Sequence, residues 1–166
     1  MADEPRNPPP GMPRIVPMIS YEDIGAAADW LCRAFGFRER LRYTAQDGTL
    51  SHVQLELGDG LVMLGNPGGL YVNPKRLAET YPEVQRVFET GYVSDGLHIY
   101  VDDVAAHFGQ AKREGATILS ELEETPFGDR HYRAEDPEGH RWMFAQHVRD
   151  VPPEDWGAEL PTDAAR

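Results

Sequence analysis

The sequence predicts an α+β fold, two duplicated βαβββ modules whose strands form a curved mixed sheet around a groove. Three observations carry that expectation. Two amphipathic helical stretches recur with the same punctuation, an Asp before each and a Gly after. One short strand-like run precedes each helix and three follow it. Turn-forming residues fall at the divisions between those runs.

The first strand is IVPMIS from Ile15; its Pro17 withholds one ladder donor and suits an edge or an irregular strand. Asp23 then caps a helix whose apolar residues Ile24, Ala27, Ala28, Leu31 and Phe35 share one face, and Gly36 supplies the left-handed residue that ends it. Strand runs follow at residues 38–45, 50–57 and 61–64, with Asp47-Gly48 and Asp59-Gly60 as hairpin signals. The second module repeats the order. LHIYV from Leu97 leads to Asp103, a helix through Val104, Phe108 and Ala111 to Gly115, and runs at residues 117–123, 129–134 and 141–146, the last pair joined by the DPEG turn. The chain thus divides into a disordered Pro-rich tail (1–13), the first module (14–65), an insertion with short helices (66–96), the second module (97–148) and a C-terminal tail (149–166). Within the insertion, Asn73-Pro74 and Tyr81-Pro82 read as helix starts and Gly91 as a stop. Its aromatic residues Tyr71, Tyr81, Phe88 and Tyr92 suit a lid, an interface arm or a packed connecting helix.

Composition narrows the function classes. In 166 residues the apolar fraction is 40%, enough for a core, and no apolar run approaches the ~20 residues that span a bilayer. A net charge of −12 opposes phosphate binding, so neither nucleic acid nor membrane is an expected partner. The single cysteine, Cys32, fits a reducing compartment, and the MADEPRNPPPGMP start lacks the features of a signal peptide, so a cytoplasmic protein is expected. Cys32 sits beside a buried helical stripe and reads as a packed thiol.

Strand alternation separates two faces. Ile99 and Val101, Trp142 and Phe144, Val53 and Leu55, and Val62 and Leu64 belong against the helices. The other face carries Met18 and Ser20; His52, Gln54 and Glu56; Met63; His98 and Tyr100; Arg141 and Met143. Mixed polar and apolar groups of this kind suit a small-molecule groove. Arg130 and Tyr132 share a strand side and could hold a carboxylate or an aromatic ring. A structural ion pair of Arg130 with Glu135, Asp136 or Glu138 is the alternative. The predicted ligand-binding set is Met18, His52, Gln54, Met63, Tyr92, His98, Tyr100, Arg130, Tyr132 and Met143. His107 is placed on a helix surface, and His131 and His140 at solvated strand ends. His52 and Glu56 lie about 13 Å apart on one strand, too far to share an ion. No nucleophile elbow, phosphate loop or dinucleotide fingerprint is present in the sequence.

The duplicated pattern, VDDVAAHFGQAKREGA and DPEGHRWMFAQ together resemble the vicinal-oxygen-chelate superfamily, the glyoxalase/bleomycin-resistance protein/dioxygenase fold, over residues 14–148. That family hosts lyases, epimerases, dioxygenases, thiol transferases and drug-binding proteins, so the resemblance implies a fold before it implies an activity. It also implies metal ligands on the first and last strand of each module. Here those positions fall near Val16, Met63, Gly96 and Met143, and a slip of two residues would bring in His98 alone. Thioethers are poor donors to hard or borderline divalent cations. The expectation is therefore a homodimeric binding protein for a small, aromatic organic ligand, of the antibiotic-sequestering type, with no cofactor and no metal. A metal-dependent glyoxalase-like lyase, isomerase or dioxygenase is the rival, and a ligand-gated interaction module the third reading.

Overall fold

The structure is a computed structural model that describes residues 8–90 and 96–159. Its first module runs β1 (Met18–Ser20), α1 (Ile24–Phe35), β2 (Arg38–Thr44), β3 (Leu50–Leu57) and β4 (Gly60–Gly65). The insertion folds as α2 (Pro74–Thr80) and α3 (Pro82–Glu89). The second module runs β5 (Leu97–Tyr100), α4 (Val104–Arg113), β6 (Thr117–Glu124), β7 (Asp129–Glu135) and β8 (Arg141–His147), and a short 3-10 turn covers Pro153–Trp156. Each module makes its own four-stranded mixed sheet, ordered β1-β4-β3-β2 and β5-β8-β7-β6. In both, the first strand lies parallel to the last and the rest are antiparallel. Among the described residues no helix is long and apolar enough to cross a membrane.

Local chemistry explains most element ends. Asp23 accepts the amide of Ala26 at 2.9 Å, and Asp103 accepts those of Ala105 and Ala106 at 3.1 and 2.9 Å, each satisfying donors that a helix start leaves free. Gly36 and Gly115 take φ of 73° and 85°, the left-handed backbone that a side chain would strain. Pro17 has no amide to give, so β1 begins only at Met18, although the Pro17 carbonyl still accepts the amide of Met63 at 2.9 Å. The β3–β4 hairpin differs in register from its sequence signal. Leu57 pairs with Gly60, so the loop is Gly58-Asp59, with Gly58 at φ 58° as the first central residue.

One core serves both modules. Phe35 at the end of α1 lies 4.7 Å from Phe144 and 5.5 Å from Trp142, both on β8. The helices also close each other's ends. Trp30 Nε1 donates to the Glu114 carbonyl at 2.9 Å, and Gln110 Nε2 to the Arg33 carbonyl at 2.6 Å, occupying acceptors that helix C-termini leave unused.

Candidate functional site

Alternation sorts the two faces as follows. Val53, Leu55, Val62, Leu64, Trp142 and Phe144 are buried against the helices, while Ile99 and Val101 are partly buried there. On the first sheet's opposite face Met18 stands opposite Met63, and Met63 opposite Gln54. Met18 is exposed and Gln54 nearly covered, its amide donating to His52 Nε2 at 3.2 Å. On the second sheet, His98 stands opposite Met143, which in turn faces Arg133.

Around His98 lies a polar cluster. The buried Asp129 accepts the Tyr100 hydroxyl at 2.8 Å and His147 Nδ1 at 2.8 Å, and His147 Nε2 reaches Asp150 at 2.9 Å. Burial alone would raise the Asp129 carboxyl, but hydrogen bonds from His147 and Tyr100 outweigh it and hold the group below its ordinary range. The same geometry raises His147, held between two carboxylates. His98 is pulled down, first by desolvation and then by nearby His131, with Asp129 opposing. The net effect favours the neutral imidazole.

A cleft of about 540 Å³ lies between the two sheets. One wall is Pro17, Met18, Ile19 and Ser20; the second is Gly96 and Leu97 with the β7–β8 turn and the start of β8, from Gly139 to Trp142. The insertion closes the third side through Tyr71, Val72, Pro74 and Leu77. That wall is fastened. The Tyr71 hydroxyl donates to the Ser20 carbonyl at 2.7 Å, the Lys75 amide to the Glu138 carbonyl at 3.0 Å, and Arg76 pairs with Glu22 at 2.6 Å. A side chain at Gly139 would bring its Cβ within 2.8 Å of the Lys75 amide, so the glycine of DPEG permits this docking.

Of the described residues in the predicted ligand set, Met18 lines this cleft. Tyr92 lies outside the described residues. Tyr132 is corrected outright. It is fully buried, 5.0 Å from Phe108 and 5.5 Å from Phe144, because β7 turns that side toward α4; no ligand reaches it there. Arg130 shares the Tyr132 side, pairs in register with Gln146, and so points away from His98 and Met143. His107 is corrected as well, since it is half-buried between Phe35 and Tyr132. His131 and His140 are likewise not simple solvated ends, for His131 Nδ1 and His140 Nε2 are both enclosed. Burial raises the Cys32 thiol, in keeping with a packed group.

The donors do not fit a divalent metal. The observed register sets Met18 beside Met63 and His98 beside Met143, so three thioethers and one imidazole occupy the parallel pairs formed by the first and last strand of each module. A catalytic dication wants about three nitrogen or oxygen ligands. Among the described residues no three His, Cys, Asp or Glu side chains converge.

Apart from Met18 the lining residues escaped the predicted set, among them the polar Arg141 and His140. Arg141 belongs to the mixed face by alternation. What alternation could not show is its ion pair with its cross-strand neighbour Glu135, at 3.0 Å with both side chains at least nine-tenths buried.

Comparison with known proteins agrees with this architecture. The model of the Glyoxalase/Bleomycin resistance protein/Dioxygenase superfamily matches residues 13–144. An uncharacterised protein of Mycobacterium bovis is 32% identical over 139 residues, covering 84% of this chain and 86% of its own. Among solved structures, TioX from Micromonospora sp. ML1 is 33% identical, covers 81% of this chain and 98% of its own, and superposes with a TM-score of 0.60. A glyoxalase/bleomycin resistance protein/dioxygenase family enzyme from Burkholderia phytofirmans PsJN, 19% identical, covers 80% and 97% with a TM-score of 0.55, and shows the fold alone. With the repeated βαβββ topology, these matches establish that the chain belongs to the glyoxalase/bleomycin resistance protein/dioxygenase superfamily.

Proposed function

We propose that this protein binds a small organic molecule without a catalytic divalent metal, in the manner of a sequestering protein for an aromatic compound such as an antibiotic. The observation that carries the reading is that Met63 and Met143, on the last strand of each module, stand where the family resemblance calls for hard donors, while a separate cleft of about 540 Å³ opens between the sheets. That volume lies in the ordinary range for small-molecule sites. Much of its wall is apolar, and an aromatic ligand would gain chiefly by burying flat surface against Tyr71, Leu77 and Leu97. No proton transfer is required of such a protein.

Elemental analysis of protein purified without an affinity tag tests the metal-free half of this reading. The expected result is divalent metal far below one equivalent, with no glyoxalase or dioxygenase turnover. One tightly held ion per protomer, lost together with activity in His98→Ala, would instead establish the metal-dependent lyase or dioxygenase reading.

A further inference from the structure

We infer that the cleft is selective for organic carboxylates, with Arg141 as the group that recognises the anion. Resting on the small-molecule reading above, this names the chemical class of the ligand. Arg141 lines the cleft with its side chain 8% exposed. Its Nη2 donates to Glu135 at 3.0 Å and reaches the Phe88 carbonyl at 3.5 Å, and its guanidinium lies 4.8 Å over the Phe88 ring, at the C-terminal end of α3. Its Nε and Nη1 are buried and donate to nothing among the described residues. His140 adds a second enclosed nitrogen on the same wall, Nε2, without a partner there.

Buried donors left unpaired are costly, and an arginine offers five of them in a plane. A guanidinium held through Nη2 by one carboxylate and one long contact to a carbonyl, and flanked by an aromatic ring, with Nε and Nη1 unused, is a half-filled site. The missing partner is an acceptor that enters from the cleft. Carboxylate chemistry suits it better than a phosphate dianion, because Glu135 already offsets one charge and the chain carries a net −12. Tyr71, Leu77 and Leu97 then contact the apolar body of the ligand. The ligand class is an aromatic or branched aliphatic monocarboxylate, recognised by charge at one end and by buried surface at the other.

The full chain would be titrated by calorimetry at neutral pH with 2-naphthoate, indole-3-acetate and 4-phenylbutyrate, each beside its neutral primary amide, and with inorganic phosphate. The acids should bind about tenfold or more tighter than their amides, the scale of a charge-assisted hydrogen bond. Arg141→Lys keeps the charge beside Glu135 but removes the planar donors, and should cut the acid preference severalfold while leaving amide affinity in place. Leu77→Trp obstructs the cleft from α2 and should weaken acids and amides alike. Equal binding of acid and amide, with Leu77→Trp weakening both, would overturn carboxylate selectivity and leave the small-molecule reading standing. Acid preference unaffected by either substitution would place the anion site elsewhere and overturn the role of Arg141. Phosphate binding as tightly as the acids would overturn the assigned class. Failure of every acid and amide to bind would count against both the selectivity and the cleft as a binding site. The acid–amide comparison needs no variant, so a poorly folded Arg141→Lys would not leave the question open.

Discussion

His107 shows how much one side chain's surroundings decide. Its Nε2 lies 3.0 Å from the carbonyl of Phe35, which can only accept, so Nε2 carries the proton. Nδ1 must then accept, and the Tyr132 hydroxyl donates to it at 2.7 Å. Protonating the ring would oblige the Tyr132 hydroxyl to turn and accept from Nδ1, giving up its own acceptor. Burial already lowers the His107 pKa below its ordinary 6.5. A histidine depressed in the folded state contributes stability that is fully present above its unfolded pKa and lost as pH falls through the folded one. Urea midpoints should therefore drop on acidification below about pH 6.5, and His107→Gln should be less stable at neutral pH but flatter across that window. An equally steep slope in the variant would assign the acid sensitivity to other groups. His147 has the opposite sign. Its raised pKa gives stability that persists on acidification and fades as pH rises through the folded value, so it cannot imitate His107.

At the scale of elements, the β7–β8 turn is the joint of the molecule. Asp136, 1% exposed, accepts the Tyr21 hydroxyl at 2.6 Å and Trp142 Nε1 at 3.0 Å on one oxygen, and the amides of Glu138 and His140 at 3.0 Å on the other. Glu138 reaches back to the amides of Glu22 and Asp23 at 2.8 and 3.1 Å, just ahead of α1. The turn thus holds its own hairpin, the end of β1 and, through Lys75, the insertion. Asp136→Ala strands several buried donors at once and should cost about 3–5 kcal/mol in chemical denaturation, with Asp136→Asn costing less. A loss below about 1 kcal/mol for the alanine variant would mean that backbone geometry alone keeps the turn closed. The DPEG signal reads from sequence as a turn; that its Asp bridges the modules does not, because Tyr21 lies 115 positions away.

For the whole molecule, the shared core predicts cooperative unfolding. Phe35 packs on the other module's sheet, and the two helix ends exchange side-chain caps, so neither module keeps its buried surface alone. Fluorescence from Trp30 in one module and Trp142 in the other, each isolated by Phe substitution of the other and of Trp156, should give urea transitions that coincide once each is referenced to the far-ultraviolet dichroism of the same variant. Phe35→Ala should lower the midpoints reported from both modules by the same amount, about 3–5 kcal/mol in stability. Two separated transitions would show that the modules fold independently.

Which residues face the helices was legible because strand alternation and helical period follow from backbone geometry, and the caps and glycines at element ends act on neighbours a few positions away. The paired modules and the Asn73-Pro74 and Tyr81-Pro82 helix starts were readable for the same reason. The placement of Tyr132, His107 and Arg141 was not. Alternation tells which side of a strand a residue takes, but whether that side meets a helix, a cleft or solvent depends on elements tens of residues distant. The cleft itself arises where β1, the β7–β8 turn and the insertion meet, three segments joined by contacts that leave no periodic mark in the sequence.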